Sequence, residues 1–407
     1  MDIQKIRNQF PELSEKVYGK SLVYFDNAAT SLKPVSVIDK WLKMSEKYNA
    51  NIHRAVHYTA TVATDEFEAA RDRVKDFLNA PSRDGIVFTS GTTASINLVA
   101  YSFGEAFIHE GDEVLVTEAE HHSDIVPWQM LCERKGAVLK VAGVDDDGYI
   151  DLESFKKLCG GRVRIAAVTH VSNVLGIVNP VKEMVRICHE AGIPVLVDGA
   201  QGIVHEKVDV QEMDCDFYAF SGHKMYAAAG TGVLYGKKKW LELMPPYMGG
   251  GEMIETVRFS GTTYAKPPGK FEAGTQNISG VPTFVPAIEM LESLNGGDSL
   301  AYGEAVNEYL ADSLSADERI RVFGVPRRTE DKIPLFSFAV DGVHHEDLAL
   351  LLDKMGIAVR SGQMCAEPLM DRFGVTGMLR VSLLPYNTME EAEYFIKSLD
   401  KAILMLS

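Results

Sequence analysis

From about residue 86 the chain alternates short apolar, β-branched runs with longer stretches in which apolar positions recur at spacings of three and four. The runs cover residues 86–89, 113–117, 138–141, 164–169 and 194–198, and the segment from Val181 to Gly192 typifies the stretches between them. This rhythm predicts strands joined by crossover helices, and therefore a largely parallel sheet. Because the runs are apolar throughout rather than alternating, both faces of that sheet are expected to be covered by helices.

After residue 235 the pattern changes. A stretch rich in Gly and Pro, residues 245–280, with Gly249-Gly-Gly and Pro267-Pro-Gly, predicts irregular loops near a site. From about residue 285 a second, smaller α/β unit follows. It has a strand at 335–340, a helix over 345–355, strands near 357–360 and 379–383, and a terminal helix from Met389. No internal repeat is visible.

A length of 407 residues implies two or three domains. No apolar run approaches the length that crosses a bilayer, and the N-terminus lacks the features of a secretory or transit segment, so a cytoplasmic protein is expected. The formal charge of −16 works against binding a phosphate backbone, which argues against nucleic acid. Five cysteines with no CxxC pair and no zinc spacing fit a reducing compartment.

The richest segment for chemistry runs from Asp216 to Tyr226, where an apolar run ends in Ser221-Gly-His223-Lys224. A lysine at the end of a buried strand has its pKa lowered by desolvation and becomes nucleophilic enough to form a Schiff base with an aldehyde cofactor. The plain alternative is a surface lysine after a turn. Asp198 ends another strand at the carboxyl edge, where open α/β sheets bind ligands, and suits the acid that a pyridine ring nitrogen needs; a helix cap is its plain alternative.

Thr89-Ser-Gly-Thr92-Thr93 directly after a strand supplies backbone amides and hydroxyls for a phosphate, while the GxxxxGK phosphate motif is absent. His121-His122 follows a strand and precedes a helix, where an imidazole can stack on a ring and transfer protons. With Asp124 the pair could also hint at a metal, but no further ligands fall at a familiar spacing, and no metal is expected. Cys365 lies in a Gly- and Pro-flanked loop suited to thiolate chemistry, whereas Cys132, Cys159, Cys188 and Cys215 sit in apolar patterns or at a helix end and read as packing residues. Arg380 can hold a carboxylate with two parallel hydrogen bonds, or can form a structural ion pair.

In order along the chain, Tyr24-Phe-Asp-Asn-Ala-Ala-Thr, His53-Arg54, Ser90-Gly-Thr-Thr, Glu120-His-His, Pro127-Trp-Gln, Thr169-His-Val-Ser-Asn173, Val197-Asp-Gly-Ala-Gln201, Phe220-Ser-Gly-His-Lys224, Phe271-Glu-Ala-Gly-Thr275 and Arg360-Ser-Gly followed by Cys365-Ala resemble, nearly end to end, the cysteine desulfurases of the SufS/CsdA type within the class V aminotransferases. The resemblance implies a pyridoxal 5'-phosphate (PLP) fold of type I: a large domain, residues 21–284, with a mostly parallel seven-stranded sheet, and a small domain, residues 1–20 and 285–407, carrying the cysteine loop. It implies that Lys224 binds the cofactor, His122 stacks over its ring, Asp198 pairs with the ring nitrogen and Gln201 with the phenolic oxygen. Thr92, Thr93, Ser221 and His223 would hold the phosphate, with Thr275 arriving from a second copy in a homodimer. Asn173, Arg360 and Arg380 would bind substrate together with Ala28, while His53 and Arg54 line the entrance.

The resemblance further implies that L-cysteine is converted to L-alanine, with sulfur held as a persulfide on Cys365 and passed to an acceptor of the SufE or SufU type for iron-sulfur cluster assembly. Three positions depart from the common pattern. Gln363-Met364 replace two histidines before the cysteine, residues 225–232 replace a Gly-Pro turn, and Ala94 replaces an acid. L-Selenocysteine as substrate stays open, an epimerase is disfavoured by Cys365, and a non-enzymatic scaffold for iron-sulfur assembly is disfavoured by Lys224, Asp198, His122 and Cys365.

Overall fold

The computed structural model describes residues 3–294 and 298–406. Its main sheet has seven strands, β1 (Ile86–Thr89), β2 (Glu113–Thr117), β3 (Val138–Ala142), β4 (Val163–Thr169), β5 (Val195–Asp198), β6 (Phe217–Ser221) and β7 (Gly232–Gly236). They lie in the order β1-β7-β6-β5-β4-β2-β3. Strands β2 to β6 pair in parallel, and β7 runs antiparallel to both of its neighbours.

Successive side chains of one strand enter two different cores. Ile86 and Phe88 of β1, Val195 and Val197 of β5, and Tyr218 and Phe220 of β6 pack on one face, while Val87, Leu196, Phe217 and Ala219 pack on the other. That double burial explains why the strands read as unbroken apolar runs. Helices Thr92–Phe107, Val126–Lys135, Leu152–Leu158 and Val181–Glu190 make the crossovers. Strand β7 must pass close to the turn that follows β1: a Cβ on Gly232 would lie 2.4 Å from the Gly91 Cα, so only glycine fits there.

The small unit is built on strands β8 (Ile320–Phe323), β9 (Leu335–Val340), β10 (Arg360–Gly362) and β11 (Met378–Ser382), antiparallel in the order β8-β9-β11-β10. Helices His345–Lys354 and Met389–Leu406 cover it. The single strand expected near 357–360 is two: Ile357–Ala358 leaves the sheet and pairs in parallel with Val23–Tyr24.

Packing also places the two units differently from the division expected at 20/21 and 284/285. Val23 and Phe25 are buried in the core of the small unit. Helix Phe284–Leu294 buries Phe284, Ile288 and Leu291 in the core of the large one. In the stretch expected to be irregular, Ile254–Arg258 and Gly261–Tyr264 form an exposed antiparallel hairpin with Phe259 at its tip. Neither strand has a buried face, so no apolar alternation marks them in the sequence.

Candidate active site

The carboxyl ends of β4, β5 and β6 deliver Thr169, Asp198 and Ser221 to the mouth of a cleft of about 230 Å³, which Lys224, His121, Gln201 and Thr93 also line. Its other wall comes from the small unit and the N-terminal segment, with Arg360, Met364, Cys365, Arg380 and Ala28. The site therefore exists only where the two units meet.

Lys224 ends a one-turn 3₁₀ segment, Gly222–Lys224, that follows β6 without a break. The preceding backbone is held from the N-terminal side. The His223 carbonyl accepts hydrogen bonds from the Ser31 backbone N–H, the Ser31 and Thr30 hydroxyls and the Lys33 ammonium. Desolvation lowers the Lys224 pKa to about 8, opposed by attraction from Asp198. Asp198 is buried and accepts the Ala200 N–H at 2.9 Å; burial raises its pKa and Lys224 pulls it back. An amine and a carboxylate in one desolvated cleft are the pair the sequence led us to expect.

The start of helix Thr92–Phe107 carries the oxygen and nitrogen groups for an anion. Thr92 N–H donates to Ser221 Oγ at 2.8 Å, the Thr92 and Ser221 hydroxyls lie 2.7 Å apart, and the Thr93 and Ser123 hydroxyls also lie 2.7 Å apart. His223 faces the same cleft, and burial holds its pKa down near 4, so it is neutral at physiological pH. Gln201 commits one amide hydrogen to the Ala28 carbonyl at 2.7 Å and keeps the other.

The expectation for His122 is corrected by the geometry. His121, not His122, lines the cleft, and its Nδ1 accepts the Ser123 N–H at 3.0 Å. Burial and the nearby Lys224 charge lower its pKa to about 4, so it too is neutral. His122 turns to the cysteine loop instead. Its backbone N–H donates to the Cys365 carbonyl at 2.7 Å, and its Nε2 accepts the Glu367 N–H at 3.0 Å.

That loop is tightly held. Met364 and Cys365 both sit in the left-handed region, φ 54° and 56°, a conformation worth on the order of 1–3 kcal/mol of strain per non-glycine residue. Compensation comes from the two His122 contacts, from Asn173 Nδ2 donating to the Met364 carbonyl at 2.7 Å, and from burial of the Met364 side chain in the main core. Met364, where the family pattern has a histidine, is thus an anchor that leaves the neighbouring Cys365 exposed. Asn173 lines the cleft, commits one amide hydrogen to this anchor and keeps the other and its Oδ1.

Arg380 is buried. Nη1 donates to the Asn173 carbonyl at 2.9 Å and Nη2 to Asp26 Oδ1 at 3.0 Å, while Nε has no partner. Arg360 lies directly opposite it across the β10–β11 pair. Two guanidinium groups in register repel unless an anion joins them, so the pair, which lines the cleft, suits a carboxylate. Asp26, which sequence reasoning did not single out as a site residue, orients this arginine; its position in the Tyr24-Phe-Asp motif was the available signal.

Besides His122, three expected site residues lie outside the cleft. His53 Nε2 is bonded to Glu68 at 3.0 Å and its ring packs edge-on against Phe67, while Arg54 pairs with Glu252 at 2.6 Å. Thr275 lines a separate surface concavity with Thr89, Ser90 and Asn277. Among the described residues no three His, Cys, Asp or Glu side chains are grouped to hold a metal ion, and no helix is long and apolar enough to cross a membrane.

We expect Arg380→Lys to lower kcat/KM for an amino-acid substrate by roughly 10- to 100-fold, the equivalent of one charge-assisted hydrogen bond at about 1.5–3 kcal/mol. The loss should appear mainly in KM, with cofactor binding intact. Unchanged steady-state kinetics would remove Arg380 from substrate binding.

Comparison with known proteins agrees with this geometry. The family described as aminotransferase class-V matches residues 23–395. A probable cysteine desulfurase of Vibrio cholerae is 45% identical over 406 residues, covering 100% of both chains. The crystal structure of the cysteine desulfurase CsdA of Escherichia coli superposes with a TM-score of 0.90 at 39% identity over 100% of both chains. That of a cysteine desulfurase from Thermococcus onnurineus gives 0.93 at 36% identity, covering 99% of this chain and 98% of the other. The chain belongs to the class V aminotransferases, among the PLP-dependent cysteine desulfurases of the SufS/CsdA type.

Proposed function

We propose that this protein removes sulfur from L-cysteine, leaving L-alanine and a persulfide on Cys365. The observation that carries the reading is that Lys224, Asp198, Cys365 and Arg380 all line one cleft. Of the residues lining this cleft, Lys224 would attach the cofactor, Asp198 would pair with its ring nitrogen, and neutral His121 would supply an imidazole beside it. Thr92, Thr93, Ser221 and His223 would hold its phosphate, and the second amide hydrogen of Gln201 would serve its phenolic oxygen. When bound there, PLP supplies an electron sink for the pair left by loss of the substrate α-proton.

The chain's own groups do the rest. Arg380 and Arg360 fix the substrate carboxylate. The Lys224 amine would act as the base for the α-proton, since its lowered pKa leaves part of it unprotonated at neutral pH. The Cys365 thiolate attacks the substrate sulfur. The new S–S bond forms as the Cβ–S bond breaks, the electron pair stays with carbon, and a proton on Cβ completes alanine. One cysteine and one Cys365 thiol thus become one alanine and one Cys365 persulfide, with no external oxidant.

Two finer features belong to the same proposal. Thr275 lies outside its own cleft, which supports its reaching the site of a second copy in a homodimer. An exposed Cys365 supports handing sulfur to an acceptor protein at the cleft mouth, for iron-sulfur cluster assembly. The test is incubation with L-cysteine and, separately, L-selenocysteine, measuring alanine and the mass of the Cys365 peptide. Alanine formed in step with one added sulfur on Cys365 is expected. Alanine without that sulfur, or turnover of selenocysteine alone, overturns the proposal.

A further inference from the structure

Behind Asp198 lies a feature that the reaction above leaves unused. Glu120 and Asp124, at the turn that follows β2, are both fully buried, and each carboxyl group is an immediate neighbour of the other. Each has one well-bonded oxygen. Glu120 Oε1 accepts from the Thr117 hydroxyl at 2.6 Å and from the Thr169 N–H at 3.0 Å, and Asp124 Oδ1 accepts from the Trp128 indole at 2.8 Å. Each also has one orphan, for Glu120 Oε2 and Asp124 Oδ2 have no partner.

Buried polar atoms are nearly always bonded, so two orphaned carboxyl oxygens on touching side chains call for an explanation. Two carboxylates in contact in a water-free site cannot both be ionised. We propose that Glu120 and Asp124 share one proton at neutral pH, as a carboxylic acid bonded to a carboxylate, and that the single negative charge left on the pair makes them positioning residues for Asp198. One proton between the two orphan oxygens satisfies both.

The surroundings leave little else to neutralise the pair. Thr117 from β2, Thr169 from β4 and Trp128 from helix Val126–Lys135 are neutral donors, and the charged group that faces the two acids is Asp198, from β5. Like charge from Asp198 adds to burial in favouring protonation of the pair, and both carboxyls are held above their usual range. The retained negative charge in turn strengthens the field that Asp198 presents to a cation in the cleft. This second half rests on Asp198 being the partner of the cofactor ring, whereas the shared proton does not.

Infrared spectroscopy of the purified full chain at neutral pH separates the two halves. A protonated-carboxyl C=O band above the amide envelope is expected in the wild type and in Asp198→Asn. It should vanish in both Glu120→Gln and Asp124→Asn, where the new amide donates to the remaining, fully ionised acid. Absence of the band from the wild type, or its survival in both single variants, overturns the shared proton.

Stability gives a second readout should one variant fold poorly. A raised folded pKa contributes stability that is complete below the unfolded carboxyl pKa of about 4.3 and is lost as pH rises through the higher folded pKa. The wild-type melting temperature should therefore fall over that window more than that of either single variant, and equal slopes would count against the pair. For the positioning role, the single variants keep the charge of the wild type and the double variant loses it. The pH midpoint of the colour change of lysine-bound cofactor should then fall only in the double variant; an unmoved midpoint there overturns that role while leaving sulfur transfer itself untouched.

Discussion

Lys224→Ala should yield a folded, colourless protein that no longer retains PLP covalently and whose alanine production falls by more than about 10³-fold, the scale on which removal of a covalent catalytic group is felt. The expectation follows from position. Lys224 follows β6 directly, its backbone is pinned through His223 by Thr30, Ser31 and Lys33, and its amine shares a cleft with Asp198. Nothing in the fold depends on the amine, because its removal unloads a buried cation rather than a packed group. The melting temperature of the apoprotein should therefore hold or rise. A pH dependence accompanies the loss of function. Only the unprotonated amine attacks an aldehyde, so the rate at which wild-type apoprotein takes up PLP should climb about tenfold per pH unit below the Lys224 pKa near 8 and level off above it. Stopped-flow absorbance measures this directly. A variant that still turns yellow and releases alanine at the wild-type rate would dismiss Lys224 from its assigned role.

Much of this arrangement was legible in the sequence because its key groups stand at strand ends. Asp198, Ser221 and Thr169 close apolar runs, and a parallel sheet sends all such ends to one edge, so chain position alone predicts convergence. Which of two adjacent imidazoles faces the cleft was not legible. His121 and His122 share the same local pattern, and the choice is made by the 3₁₀ turn at His122–Asp124 and by a distant loop that claims His122 through Cys365 and Glu367. A local signal existed in Ser123, whose backbone N–H the capping imidazole of His121 accepts.

Long-range partners account for the other departures. His53 and Arg54 look available for a ligand until Glu68 and Glu252 are placed beside them. Val23 and Phe25 read as the start of the large domain, but their partners Ile357 and Phe395 lie more than 300 residues away. Glu120 and Asp124 fall under the same heading: each alone resembles a cap or a surface acid, and only the turn between β2 and helix Val126–Lys135 buries them together.

Cys365→Ser should separate binding from sulfur transfer. The side chain is exposed at the cleft and bears none of the loop's anchoring, which rests on backbone carbonyls of Met364 and Cys365, on Asn173 and His122, and on the buried Met364 side chain. Serine keeps the Cβ and the left-handed backbone at no added cost, so the loop should hold its shape. The variant is expected to bind PLP and L-cysteine as the wild type does, since Lys224, Arg360 and Arg380 are untouched. It should form no persulfide, because an alcohol is far too weakly acidic to present an anion to the substrate sulfur at neutral pH. Mass spectrometry of the loop peptide and quantitation of alanine read both halves. Met364→Gly makes the complementary case: the thiol stays, but loss of the buried anchor loosens the backbone that presents it, so cofactor binding should persist while persulfide formation slows. If Cys365→Ser released sulfur at the wild-type rate, the nucleophile would have to be another thiol. Among the four other cysteines Cys132, Cys188 and Cys215 are buried, and Cys159 lies 3.6 Å from the Cys188 sulfur and does not line the cleft, so the geometry leaves that role to Cys365.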